Sequence, residues 1–196
     1  MRALKPVVFL LCLLPFGWLV YAAGTNALGP DPAESIMHLT GEWSLRILLV
    51  TLAVSPVRKI WGWRWPMTLR RMLGLFAFFY ATVHLASFSH FYIGWTLSIL
   101  LEELVERPYI TVGALAWVLM LPLAVTSTRK MQRRLKRNWR RLHRAVYPAA
   151  MLACLHLLWQ ARSDLGEPIL YSVLLFMLLI WRLPVYRSRR SDVLSG

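Results

Sequence analysis

Six stretches of the chain are apolar for long enough to suggest membrane-crossing helices. They cover about residues 6–23, 40–57, 72–95, 109–128, 142–161 and 168–186. A spanning helix needs about 20 mostly apolar residues. Each stretch meets or approaches that length, the second by extension back through Met37–Thr40. The segments between them are short, without a linker, a low-complexity tract or a persuasive internal repeat. The pattern predicts an all-α fold, a polytopic membrane helical bundle of six transmembrane helices in one domain over residues 1–196.

The polar positions orient this bundle. Arg2 and Lys5 precede the first stretch, and Arg58, Lys59, Arg64, Arg70 and Arg71 lie between the second and third. The run "RKMQRRLKRNWRRLHR" between the fourth and fifth holds nine Lys or Arg, and Arg187, Arg189 and Arg190 follow the sixth. The alternate connections hold acids: Asp31, Glu34 and Glu42, then Glu102, Glu103 and Glu106, then Asp164 and Glu167. Cytoplasmic loops carry the excess of Lys and Arg, so the basic connections and both termini are expected in the cytoplasm. Trp61, Trp63, Trp65 and Trp139 fall at the basic ends and Trp43, Trp95 and Trp159 near the others, as interfacial aromatic belts do. The start of the chain, two cations before an apolar run ending at Ala22–Ala23, also has the form of a signal peptide. A retained first span is expected.

Composition agrees with this orientation. Hydrophobic residues make up 58% of the 196 positions and charged ones 16%, with a mean hydropathy of +0.50. Soluble domains carry roughly 25% charged residues. The net charge of +14 raises the possibility of a nucleic-acid partner, but most of it sits in connections expected beside anionic headgroups, where each Lys or Arg gains about 1 kcal/mol. The basic run also lacks a recognition fold, so the lipid bilayer is the expected partner and nucleic acid is not. Cys12 and Cys154 lie in apolar runs without metal-site spacing and read as small buried residues.

Ionisable side chains inside a bilayer are costly and mark function by default. His38 and His90 fall at segment edges and read as facing water or the interface. His84 and His156 each lie about twelve residues from the basic end of their segments, roughly 18 Å along a helix and slightly past mid-membrane. Two histidines at one depth on two helices suit the axial positions of one heme iron. Gly74, Ala77 and Ala81 share the face of His84, and Ala145, Ala149 and Ala153 share that of His156; either stripe alone suits close helix packing, but two stripes leading to histidines at equal depth favour space for a planar cofactor. His143 stands at the cytoplasmic edge, about 20 Å from His156 and across Pro148. It is expected to ligate, to contact a propionate or a flavin, or to face the headgroups. Arg70 occupies the position on the third segment where a partner for His143 would lie. Arg46 is either a heme-propionate partner or an interfacial cation paired with Glu42.

The sequences "RRMLGLFAFFYATVHLASF" and "WRRLHRAVYPAAMLACLHLLW" resemble the ferric-reductase-like transmembrane family, and most of all the heme-binding membrane subunits of periplasmic methionine-sulfoxide reductase systems. The resemblance covers nearly the whole chain. It implies heme b on His84 and His156, with His143 as a further implicated residue, and an FMN that no motif places. It also implies electron flow from the quinol pool to a periplasmic molybdopterin-containing catalytic partner, in a bacterial inner membrane. The chain would then be a non-catalytic redox subunit of an oxidoreductase complex. Two features depart from the wider family: Arg70 stands where a fourth histidine would, and 196 residues leave no room for a cytosolic dehydrogenase domain, so the electron donor is expected to be another molecule. Two rival readings are a stand-alone ferric or cupric reductase of the same fold and a small metal-ion transporter using the histidines.

Overall fold

A computed structural model describes residues 4–161 and 164–182. The terminal cations Arg2, Arg187, Arg189 and Arg190, and the sixth segment beyond residue 182, lie outside the described residues. Among the described residues there are eight α-helices and no strand. They are α1 (Leu4–Gly24), α2 (Pro32–Trp61), α3 (Arg70–Phe91), α4 (Leu97–Glu106), α5 (Pro108–Val125), α6 (Arg129–Leu142), α7 (Val146–Gln160) and α8 (Gly166–Ile180). Within the described residues each apolar stretch centres on one helix, with α4 and α6 added inside an acidic and a basic connection. Three helices, α1, α3 and α5, are long and apolar enough to cross a membrane, and α8 is a shorter apolar helix.

α2 is much longer than its apolar stretch. Asp31 caps it by accepting the Glu34 N–H at 2.9 Å, Pro32 begins it, and Gly62 ends it in the left-handed conformation at φ 70°. These signals carry the helix over 30 residues, about 45 Å. Its charged first half therefore continues the buried second half as one rod.

The bundle consists of two closely packed pairs, α2 with α3 and α5 with α7, with α8 laid against α7 and α2. Leu48, Leu52, Ala77, Tyr80, Ala149 and Ala150 form the fully enclosed centre. Large apolar side chains meanwhile stand outward, among them Leu14 and Tyr21 on α1, Val118 on α5 and Phe176 on α8. Outward apolar faces of this extent need an apolar solvent, and the chain is a membrane protein.

Buried polar groups tie the helices. The Tyr80 hydroxyl accepts from the Phe16 N–H at 3.1 Å and donates to the Cys12 carbonyl at 2.8 Å, bridging two groups that an unbroken helix would join directly. The Ser44 hydroxyl donates to the Ala77 carbonyl at 2.9 Å, and the Trp117 indole N–H donates to Thr82 Oγ1 at 3.1 Å, linking the two pairs. Arg182 donates to the Leu52 carbonyl and the Tyr147 hydroxyl, joining α8 to α2 and α7. Cys12 and Cys154 are free and buried.

The charge separation in the sequence becomes a separation of ends. Arg46, Glu42 and Glu167 meet at one end, and Tyr147 and Arg182 at the other. Among the described residues, the nine cations of 129–144 form no ion pair with a carboxylate, as expected for side chains that face headgroups or water.

Candidate functional site

α3 supplies His84 and α7 supplies His156, and the bundle brings the two rings together. Their centres lie 6.2 Å apart with the planes at 80°. Two imidazoles bound end-on to one metal at the usual nitrogen distance of about 2 Å have ring centres about 6 Å apart. The pair already stands at the separation that two axial ligands require.

Hydrogen bonds fix which nitrogen of each ring is available. His84 Nδ1–H donates to the Met37 carbonyl at 3.0 Å, and His156 Nδ1–H donates to the Tyr109 carbonyl at 2.7 Å. A carbonyl only accepts, so the proton of each neutral ring sits on Nδ1 and the lone pair on Nε2. Metal-binding histidines are held this way, with the second nitrogen anchored to a backbone acceptor. Thr40 Oγ1 lies 3.5 Å from His84 Nδ1 while its hydroxyl donates to the Ile36 carbonyl at 2.7 Å.

The two anchors repeat each other. In both, the carbonyl lies 47 residues before its histidine. One shift along the chain carries Met37, Gly41 and His84 onto Tyr109, Gly113 and His156, and carries Ala77 and Ala81 onto Ala149 and Ala153. The expectation of no persuasive internal repeat is therefore corrected: α2–α3 and α5–α7 are two versions of one helical pair. A Cβ on Gly41 would stand 3.2 Å from His84 Nδ1, and one on Gly113 would stand 2.9 Å from His156 Nδ1.

The expectation that the small-residue stripes leave space for a cofactor is corrected at Gly74, Ala77 and Ala149, which serve helix packing. Ala77 and Ala149 are fully buried, the Ala77 carbonyl is bonded to Ser44 of α2, and Gly74 faces Thr51 of α2. On α3 they let α2 approach closely enough for the Met37 carbonyl to reach His84.

The remaining candidates lie elsewhere. His143 stacks on Trp139 with ring centres 3.9 Å apart, and its Nδ1–H donates to the Trp139 carbonyl at 3.1 Å. Arg70 opens α3 at that same basic end, near Arg182 and Tyr147. Arg46 sits at the acidic end, with Glu42 at 2.9 Å, Glu167 at 3.3 Å and the Tyr171 hydroxyl at 2.7 Å. Of its two readings, pairing with Glu42 is the one its contacts favour. His38 and His90 are exposed, the first 3.6 Å from Glu34 and the second accepting from the Trp95 indole at 3.4 Å.

The donor set suits a planar metal cofactor better than a bare ion. Among the described residues no group of three or more His, Cys, Asp or Glu side chains could hold a metal ion. A structural or catalytic ion needs three or four protein ligands, whereas a heme brings four nitrogens of its own and asks the protein for two. The Met37 and Tyr109 carbonyls and the two glycines were missed at the sequence level. The available signal was the equal spacing of Gly41 from His84 and of Gly113 from His156.

The chain is similar to known proteins over most of its length. The model of a family described as "Ferric reductase like transmembrane component" matches residues 40–154, more than half the chain, from within α2 to just short of His156. A "Protein-methionine-sulfoxide reductase heme-binding subunit MsrQ" of Xanthomonas axonopodis pv. citri is 52% identical over 165 residues, covering 84% of this chain and 76% of the relative. The protein of the same description from Rhodospirillum rubrum is 46% identical over 186 residues, covering 94% of this chain and 89% of the relative.

Proposed function

The chain belongs to the ferric reductase like transmembrane family, and from that membership we propose that it is the heme b-binding electron-transfer subunit of a membrane methionine-sulfoxide reductase system. The observation that carries the proposal is the His84–His156 pair, with ring centres 6.2 Å apart and both Nδ1 atoms anchored on backbone carbonyls. When bound, heme b supplies a reversible one-electron couple. His84 and His156 would hold it, and two histidine ligands would suit it to carrying electrons rather than to binding oxygen or substrate.

In this reading the chain crosses a bacterial inner membrane six times as one domain, over about 6–23, 40–57, 72–95, 109–128, 142–161 and 168–186, with both termini in the cytoplasm. The charge asymmetry of the connections supports that orientation. The proposed electron source is the quinol pool. The proposed acceptor is a periplasmic molybdopterin-containing subunit that docks at the acidic end and repairs oxidised methionine. Met37 and Tyr109 hold the ligand rings in one tautomer. His143 and Arg70 lie together at the basic end, the side from which a cytoplasmic-side electron donor would approach. FMN is a second proposed cofactor by family resemblance alone, and we assign it no residues.

The test is a reduced-minus-oxidised absorption spectrum of the protein purified in detergent after expression with heme supplied. The proposal expects a Soret shift and a sharp α band typical of low-spin heme b. A protein that accumulates in the membrane and shows neither band would end it.

A further inference from the structure

Gly41 and Gly113 stand at one structural position. Each lies four residues after the carbonyl that anchors a histidine, Met37 within α2 and Tyr109 within α5. In an α-helix the carbonyl of residue i points along the axis toward residue i+4, whose own N–H it accepts. The side chain of residue i+4 therefore partly shields that carbonyl from a group approaching from the side. A slender donor such as the Ser44 hydroxyl can pass a small side chain there, as it does at Ala77, but a broad imidazole ring meets the Cβ of residue i+4, and a glycine removes that obstacle.

The distances bear this out at both sites. A Cβ on Gly113 would meet His156 Nδ1 at 2.9 Å, Cε1 at 3.0 Å and Cγ at 3.1 Å. A Cβ on Gly41 would meet His84 Nδ1 and Cε1 at 3.2 Å. The first cannot be accommodated without moving the ring, and the second is tight. The tighter glycine also accompanies the shorter hydrogen bond, 2.7 Å for His156 against 3.0 Å for His84. By contrast, a Cβ on Gly17 of α1 would have no neighbour within 4 Å, and one on Gly74 of α3 only Thr51 Cγ2 at 3.9 Å.

We propose that Gly41 and Gly113 are positioning residues for His84 and His156, whose absent side chains open the Met37 and Tyr109 carbonyls to the ligand rings and thereby set the basicity of both ligands. This rests on the assignment of the two histidines as heme ligands. Donation from Nδ1–H to a carbonyl pushes electron density onto Nε2, strengthens that nitrogen as a ligand and favours the ferric state. Weakening the bond raises the reduction potential.

Gly113→Ala, Gly41→Ala, Gly17→Ala and His156→Ala are purified with heme supplied. Heme-to-protein ratio, midpoint potential and the low-spin ferric EPR g-values are then compared with wild type. The proposal expects Gly113→Ala to lose heme or to retain it at a raised potential with shifted g-values, Gly41→Ala to shift in the same direction by less, and Gly17→Ala to match wild type. A helix-interior alanine in place of glycine favours the helix, so a general packing defect is not the expected source of the change. If Gly113→Ala fails to accumulate, Gly41→Ala carries the test alone, through its potential and g-values. Wild-type heme content, potential and g-values in both glycine variants, beside a heme-free His156→Ala, would overturn the positioning role and leave the ligand assignment standing. An equal shift in Gly17→Ala would also overturn it. Low-spin heme retained in His156→Ala would remove the ligand assignment itself.

Discussion

Arg46 separates two accounts of the acidic end. Its guanidinium is held from three sides: Nε donates to the Tyr171 hydroxyl at 2.7 Å, and Nη2 meets Glu42 at 2.9 Å and Glu167 at 3.3 Å. The rings of Trp43 and Tyr171 lie 5.5 and 5.9 Å from its carbon centre. Glu42 belongs to α2 itself, so of these Arg46 contacts those to Tyr171 and Glu167 tie α2 to α8. The Arg46 and Glu167 side chains are 32% and 52% exposed, and an ion pair that open contributes about 0–1 kcal/mol. The bond to Tyr171 has a charged donor and contributes about 1.5–3 kcal/mol. Arg46→Gln is therefore expected to cost about 2 kcal/mol, with most of it carried by Tyr171. For a chain of this size that lowers the melting temperature by about 4–8 °C. The assay is thermal melting in detergent, read as loss of the monodisperse peak, with the heme spectrum recorded on the same samples. Tyr171→Phe should lower the melting temperature by a similar amount, and the double variant by little more than either single change. Heme loss from Arg46→Gln at an unchanged melting temperature would refute this and put the guanidinium on a heme propionate.

Other consequences follow from the same contacts. Tyr80→Phe removes both hydrogen bonds of a fully buried hydroxyl that joins α3 to α1. It should destabilise by about 1 kcal/mol in detergent melts while leaving the heme spectrum unchanged. His143→Ala breaks a stack with Trp139 and touches neither ligand ring. It should keep the wild-type heme-to-protein ratio, and a ratio halved by it would assign a second heme to the basic end. With Cys12 and Cys154 replaced by alanine, a single cysteine at position 26, 102 or 164 should react with a membrane-impermeant thiol reagent in intact cells. One at position 130 or 134 should react only after lysis, and the opposite pattern would invert the proposed topology.

The sequence pattern located the helices well because burial in lipid requires long apolar runs, and such runs are hard to mistake. It also singled out His84 and His156, which the fold brings together, because an intramembrane imidazole stands out against leucine and phenylalanine. Three things were hidden from it. α2 extends back through Glu34, His38 and Glu42 because the Asp31 cap and Pro32 start the helix well before its apolar part begins. The doubled arrangement of α2–α3 and α5–α7 escaped notice because lipid-facing positions exchange freely among apolar residues. That leaves only a few matched glycines, alanines and histidines to carry it. The anchors of the two rings are main-chain carbonyls of Met37 and Tyr109, groups that every residue possesses and no side-chain pattern can reveal. The alanine stripes were legible as stripes, but only the packing of α2 on α3 shows that their role is helix approach. Membership of the family carries the argument from two anchored histidines to heme and to methionine-sulfoxide repair.

The central claim is that His84 and His156 together hold one heme. Heme content, measured per mole of purified protein for wild type, His84→Ala, His156→Ala and the double variant, tests it most directly. The account predicts one heme per chain in wild type and none in each of the three variants, with all four proteins present in the membrane in comparable amounts. Wild-type heme content with an unchanged low-spin spectrum in both single variants would contradict it.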